Sequence, residues 1–105
     1  MDDSNLDLTT IVGFEWDKGN INKNKDKHGV ENQEAEEIFF NKPLIILEDK
    51  IHSSEQEKRW GALGQTNQGR KLAVYFTIRD NKIRVISARN QSPKDRAVYM
   101  GIEKK

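Results

Sequence analysis

Hydrophobic residues are sparse before Pro43 and dense after it, and their spacing changes character at that point. Ile11 to Trp16 reads as a short strand. Lys18 to His28 has Ile21 as its only apolar residue, together with Gly19 and three asparagines, so its propensity for helix is poor. Its ends are better marked. Asp17 suits an N-cap, Lys27 and His28 complement a helix C-terminus, and Gly29 fits the left-handed position that follows. A second helix starts at Asn32 as cap. Glu34, Glu36 and Glu37 place negative charge in its opening turns, Ala35, Ile38 and Phe39 share one face, and Pro43 ends it.

Beyond Pro43 the pattern becomes that of strands. Leu44 to Glu48 is one, the polar stretch Asp49 to Lys58 is a connection, and Arg59 to Gln65 is a weaker strand. Asn67-Gln68-Gly69 signals a turn. Lys71 to Arg79 and Lys82 to Arg89 form the strongest pair, joined by Asp80-Asn81, a two-residue loop suited to a tight hairpin. Ser92-Pro93-Lys94-Asp95 opens a terminal helix with a serine cap, a proline at the first position and a carboxylate three residues after the cap. The order is strand, two helices, four antiparallel strands and a short helix, which predicts an α+β fold in one compact domain. Residues 11–105 form that domain, and residues 1–10 a loose acidic tail.

The hairpin predicts which side chains share a face. With Asp80-Asn81 as the turn, Arg79 faces Lys82, Thr77 faces Arg84 and Tyr75 faces Ile86. Leu72, Val74, Phe76, Ile78, Ile83 and Val85 then form an apolar face for the helices, while Tyr75, Thr77, Arg79, Lys82 and Arg84 lie on the other. An extra residue in the connection would flip the faces on one strand.

Composition narrows the class. Apolar and charged residues are nearly equal, at 34% and 33%, a balance that leans toward disorder, but the clustering of the apolar residues argues for a core. The chain has no cysteine, which removes disulfides, thiolate catalysis and sulfur-based zinc sites. The first residues show no secretory signal, and no apolar run approaches the ~20 residues that span a bilayer. A cytoplasmic protein is expected. Charge adds the sharper observation. Residues 1–57 carry 14 acidic and 6 basic side chains, whereas residues 58–105 carry 3 and 12. All six arginines lie in the second part. Guanidinium groups match phosphate oxygens in pairs, so a strand region rich in them is a candidate phosphate-binding surface. Aromatic and cationic groups together suit single-stranded RNA, the cations holding phosphates and a ring such as that of Tyr75 stacking a base. The plainer alternative is a solvated basic face, with Tyr75 and Ile86 covered by the terminal helix.

Two histidines are present. His28, beside Lys27, fits a capping role at a helix end, though Lys27 can still reach a phosphate. His52 lies among carboxylates and Arg59 in the Asp49–Arg59 stretch. An imidazole exchanges protons near neutral pH. Beside phosphate-binding arginines it can activate a ribose 2′-hydroxyl for attack on the adjacent phosphate, a route that uses a base, an acid and cations and no metal. His52 or Glu57 is the candidate base, and Arg59 and Arg84 are the candidate cations. Two distant histidines make no zinc site, and Glu48-Asp49-Lys50 with Glu55 to Lys58 only faintly echo a magnesium nuclease. The alternative is that His52 is an ordinary surface residue.

Ordered blocks through the chain resemble the BrnT family of ribonuclease toxins of type II toxin–antitoxin systems. They are Phe14-Glu15-Trp16-Asp17, Asn24, Lys27-His28-Gly29-Val30, Glu34-Ala35 with Phe39, and Pro43; then Asp49 with His52-Ser53, Glu57 with Arg59-Trp60, Ala62-Leu63-Gly64 and Gly69-Arg70; then Thr77, Arg79, Ile83-Arg84-Val85-Ile86-Ser87-Ala88-Arg89, and Arg96 with Tyr99. The resemblance implies a RelE-like toxin fold, with helices on one face of an antiparallel sheet and RNA on the other. It implies a cognate ribbon-helix-helix antitoxin (BrnA-like) and operator DNA bound only through the toxin–antitoxin complex; on the residues themselves no cofactor and no membrane are expected. The resemblance places catalysis on His52, Glu57, Arg59 and Arg84, with Lys27, Arg79 and Arg89 in support, and the hairpin face adds Tyr75 and Lys82 as candidates for RNA binding. In the family pattern the glutamate follows the His-Ser pair one residue sooner than Glu57 does here, which leaves Glu55 as an alternative to it. The expected function is a translation-inhibiting endoribonuclease toxin. The competing one is a non-catalytic nucleic-acid- or protein-binding module, a degenerate toxin.

Overall fold

The computed structural model describes residues 8–16 and 22–103. Its centre is a five-stranded sheet of order β1-β5-β4-β3-β2, with β1 (Gly13–Glu15), β2 (Ile45–Glu48), β3 (Arg59–Gln65), β4 (Lys71–Arg79) and β5 (Lys82–Asn90). Strands β2 to β5 pair antiparallel, as the sequence predicts. Their strongest hairpin turns at Asp80 and Asn81, both with positive φ (54° and 62°). That is the type I′ geometry whose twist matches the flanking strands, and aspartate and asparagine tolerate it better than other residues with a Cβ. Strand β1 lies parallel to β5 at the sheet edge, with Gly13 beside Lys82 and Glu15 beside Arg84. The sheet is therefore mixed.

Helix α1 (Lys23–His28) ends at Gly29, whose φ of +67° is the left-handed cap expected there. The cap expected at Asp17, and residues 18–21, lie outside the described residues, as do residues 1–7 of the expected acidic tail. Leu8–Thr10 form a 3-10 turn, and Leu8 packs against the core. Helix α2 (Asn32–Glu37) is capped one residue earlier than expected, by Glu31. With the cap at Glu31 the third helical position is Glu34, whose carboxylate accepts the Glu31 N–H at 3.0 Å. With the cap at Asn32 that position would be Ala35, which has nothing to offer. The helix tightens into a 3-10 turn at Ile38–Phe40 and stops before Pro43.

These two helices cover one face of the sheet. Val30, Ala35 and Ile38 pack with Trp60, Ala62, Leu72, Val74, Phe76, Ile83, Val85 and Ala88 in a single buried cluster. Arg70 ties the α1–α2 connection to the sheet. Its guanidinium donates to Gly29 O and Glu34 Oε1, both at 3.0 Å, and to Asn90 Oδ1 at 2.8 Å. One of the six arginines is thus engaged in holding the fold. The Trp16 indole N–H similarly joins the end of β1 to Glu36 Oε2 at 2.7 Å.

Helix α3 (Pro93–Glu103) departs from the expectation of helices on one face. Tyr99 is fully buried, its hydroxyl donates to Pro43 O at 2.6 Å, and Lys71 sits 5.9 Å from its ring centroid. The contacts place α3 over the second face of the sheet, at the end where β4 begins. The terminal cap is as expected. Asp95 N–H donates to Ser92 Oγ (3.1 Å), and Ser92 N–H donates to Asp95 Oδ2 (3.0 Å). The same carboxylate accepts from Arg89 at 3.0 Å. Among the described residues no helix is long and apolar enough to cross a membrane.

Two predictions follow from the packing. A Cβ at Gly64 would lie 2.8 Å from Ile38 Cβ, inside the core contact between β3 and the 3-10 turn. Gly64→Ala should therefore cost about 1–3 kcal/mol in a denaturant titration. For Asp95, burial raises the carboxyl pKa, but the Ser92 hydrogen bonds and the Arg89 guanidinium outweigh it and hold the group below its ordinary 3.8. A depressed carboxylate stabilises the fold above the unfolded-state pKa, and that contribution is lost as pH falls through the folded value. Asp95→Asn should cost about 1 kcal/mol at neutral pH. Urea titrations repeated at successively lower pH should show the gap from the parent protein closing below 3.8.

Candidate functional site

Side-chain alternation sets what the second face of the sheet can display. Near the β4–β5 turn the register is as predicted, with Arg79 opposite Lys82 and Thr77 opposite Arg84. Arg59 is opposite Thr77 on the other side, so one rung reads Arg59, Thr77, Arg84, Glu15 across four strands. The register then shifts between Phe76 and Tyr75. Tyr75 pairs with Ser87 rather than with Ile86, the predicted partner, and Ala73 pairs with Arg89. One extra residue in β5 makes a bulge. It turns Ala88 into the core and Arg89 out to the face that already carries Arg84. Without it, Arg89 would follow Ile83 and Val85 inward.

Tyr75 is held in this face from two sides. A Cβ at Gly61 would come within 3.0 Å of its ring, so glycine at that position is what lets the ring lean across β3. Arg89 donates to the Tyr75 hydroxyl at 2.9 Å, with its guanidinium carbon 5.5 Å from the ring centroid. Arg89 is itself anchored by Asp95 and Asn90 O, each at 3.0 Å.

The β2–β3 connection supplies the rest. Its ends are knotted together. Asp49 N–H donates to Arg59 O at 2.7 Å, and the Ser53 hydroxyl donates to Asp49 O (2.7 Å) while accepting from Arg59 N–H (2.8 Å). The Asp49 carboxylate meets His52 twice, at Nδ1 (2.8 Å) and at the backbone N–H (3.3 Å). Further along the loop, Glu57 accepts from Arg59 at 3.4 Å through one oxygen and from Arg79 at 3.3 Å through the other.

These groups surround an open cavity of about 500 Å³ lined by Asp49, His52, Arg59, Tyr75, Ile86 and Arg89. Of the residues expected from sequence, His52, Arg59, Tyr75 and Arg89 are brought together in it. Glu57 adjoins it through its pairing with Arg59, and Arg79 through its pairing with Glu57; Glu57 rather than Glu55 holds that place. Arg84 lies on the same face, two strands from Arg59, about 10 Å away at the usual strand spacing. Lys82 is exposed at the hairpin end. Lys27 is exposed on α1, against the opposite face, and is not part of the cavity. The terminal helix leaves this part of the face open, so Tyr75 and Ile86 keep access to it. Asp49 also lines it; the sequence offered this residue only in the block with His52-Ser53 and in the faint nuclease echo, and gave it no site role. Its signal is a carboxylate three positions before a histidine in a polar turn. Among the described residues no three His, Asp or Glu side chains gather as ligands for a metal ion.

A family model described as the BrnT ribonuclease toxin of type II toxin–antitoxin systems matches residues 16–95. No curated protein matches the chain. The matched span contains every residue lining the cavity and ends at Asp95, the acid that anchors Arg89. The chain belongs to the BrnT family of ribonuclease toxins, whose systems pair such a toxin with a protein antitoxin and whose substrate is RNA.

Proposed function

We propose that this protein is an endoribonuclease toxin that cleaves RNA through the ribose 2′-hydroxyl, without a metal, at the cavity between the β2–β3 loop and the β5 bulge. The observation that carries the reading is the convergence there of His52, Arg59, Tyr75 and Arg89. His52 Nε2 takes the proton of the 2′-hydroxyl, and the freed oxygen attacks the adjacent phosphorus. Arg59 and Arg89 bind the phosphate oxygens and stabilise the charge that grows on them, with Arg84 extending the cationic track along the strand. As the P–O5′ bond breaks, the leaving oxygen takes a proton. Guanidinium groups do not give one up, so the Tyr75 hydroxyl is the donor suited to that step. It accepts from Arg89 and keeps its own proton to give. The products are a 2′,3′-cyclic phosphate and a 5′-hydroxyl end.

Glu57, whose two oxygens each accept from a guanidinium, aims Arg59 and Arg79. Arg79 and Lys82 lie at the hairpin end of the same face, where a longer RNA would continue, and Lys27 is left as a peripheral contact for phosphate. Cleaving messenger RNA inhibits translation, so the site of action is the cytoplasm. A ribbon-helix-helix antitoxin of the BrnA type neutralises the toxin, and operator DNA is reached through their complex. The resemblance in the sequence blocks supports that part of the reading.

Protein freed of antitoxin should cleave RNA in the presence of EDTA, leaving cyclic phosphate ends. His52→Ala should lower the rate by about 10²–10⁴-fold while keeping RNA affinity, and Arg59→Ala should weaken both. Tyr75→Phe, which keeps the ring, should slow the chemical step and leave binding intact. Loss of cleavage in EDTA would redirect the mechanism to a metal ion. Tight RNA binding with no cleavage by the unmutated protein would leave the binding module.

A further inference from the structure

We propose that Asp49 is a positioning residue for His52. By accepting the Nδ1 proton it fixes the imidazole tautomer and leaves the Nε2 lone pair toward the cavity. The assignment rests on the reading of His52 as the base. A neutral imidazole carries one proton on either of two nitrogens, and the hydrogen bond made by one nitrogen decides the state of the other. A carboxylate only accepts, so the 2.8 Å contact between Asp49 Oδ2 and His52 Nδ1 puts the proton on Nδ1.

The rest of the geometry makes Asp49 a firm support. Its side chain is 21% exposed, whereas that of His52 is 64% exposed. Its other oxygen accepts the His52 backbone N–H, so the carboxylate is fixed relative to the residue it orients. The Asp49 backbone is bound at both its N–H and its carbonyl, to Arg59 O and Ser53 Oγ. The imidazole is thereby referenced to Arg59, the residue that meets the phosphate. An exposed histidine has little packing to hold its ring. Here one side chain supplies the rotamer, the tautomer and the distance to the cation.

A purely structural role for Asp49, closing the turn, makes a different prediction. Asparagine keeps an oxygen for the His52 N–H, so Asp49→Asn preserves the turn. Its amide, however, can donate to Nδ1, and this moves the imidazole proton to Nε2, the wrong nitrogen for a base. Replacing an orienting aspartate by asparagine in a serine protease has this outcome, with a loss of about 10⁴ in rate. If Asp49 only closes the turn, Asn is mild and Ala is harmful. If Asp49 sets the tautomer, Asn is at least as harmful as Ala.

The test uses the full chain freed of antitoxin, a short RNA oligonucleotide as substrate, and nitrogen-15 NMR of the His52 ring with the imidazole neutral. The parent protein should carry its proton on Nδ1. Asp49→Asn should carry it on Nε2 and lose about 10²–10⁴ in kcat, with KM and melting temperature little changed. Asp49→Ala should lose no more than that. An unchanged tautomer in Asp49→Asn overturns the assignment. So does a kcat within about threefold of the parent while His52→Ala is inactive, because rate losses of the size expected from acid–base groups are far larger. Full activity in His52→Ala is a distinct result. It removes the base on which the assignment rests and overturns both readings together.

Discussion

A β-strand shows alternate side chains to alternate faces, so an unbroken β5 cannot present Lys82, Arg84 and Arg89 to the same side. The extra residue between Val85 and Ser87 breaks that parity. The half of the strand nearest the turn buries Ile83 and Val85 and displays Arg84. The other half buries Ala88 and displays Arg89. The place of Arg89 depends on this shift, because Arg89 holds the Tyr75 hydroxyl and reaches the cavity only after it. Bulges recur beside active sites because they re-aim a side chain without ending the sheet. In this strand the re-aimed side chain is a cation.

The site's charges come already matched. Arg59 and Arg79 share Glu57, Arg89 is held by Asp95, and His52 is held by Asp49. Exposed pairs of this kind add little to stability. In the proposed function their use is geometric, since a guanidinium pinned by a carboxylate loses less freedom on meeting a phosphate. The charge asymmetry along the chain acquires a meaning in the same way. The acidic first part and the basic second part meet in the fold, at Glu34 with Arg70 and at Glu57 with Arg79, so part of the charge separated along the sequence is paired in space.

Local chemistry was the legible part of the sequence. The Asp80-Asn81 turn, the Gly29 cap and the Ser92–Asp95 box each depend on a few adjacent residues and stand where they were expected. The stretch from Asp49 to Arg59 was legible as a chemical neighbourhood for the same reason. The features that escaped are set by distant contacts. Residues 83 to 89 alternate plausibly in either phase, with β-branched and small side chains on both sides of Ile86, and nothing local marks the bulge. The parallel pairing of β1 depends on where Phe14 meets Phe39 in the core, with ring centroids 5.7 Å apart. In helix α3 Val98 and Met100 stay exposed while Tyr99 is buried, so its side of the sheet could not be read from periodicity. The contact of Asp49 with His52 escaped because it lies in a single oxygen facing a single nitrogen.

The knot around Ser53 bears on how such loops can differ in length. Asp49 and Ser53 are fastened to Arg59 at the mouth of the connection, with His52 held by Asp49, and the Lys58 carbonyl accepts from the Thr77 hydroxyl at 2.7 Å; these bonds leave out Glu55 and Gln56. Glu55 and Gln56 form an outer arc, closed by the Ser54 N–H donating to Glu57 O at 2.8 Å, apart from the bonds that hold the imidazole. A chain with one residue fewer in that arc can hold the same histidine against the same arginine, provided its glutamate still reaches the guanidinium. The spacing between His52 and Glu57 is therefore a tolerance of the architecture, and the separation from Ser53 to Arg59 in space is its fixed dimension.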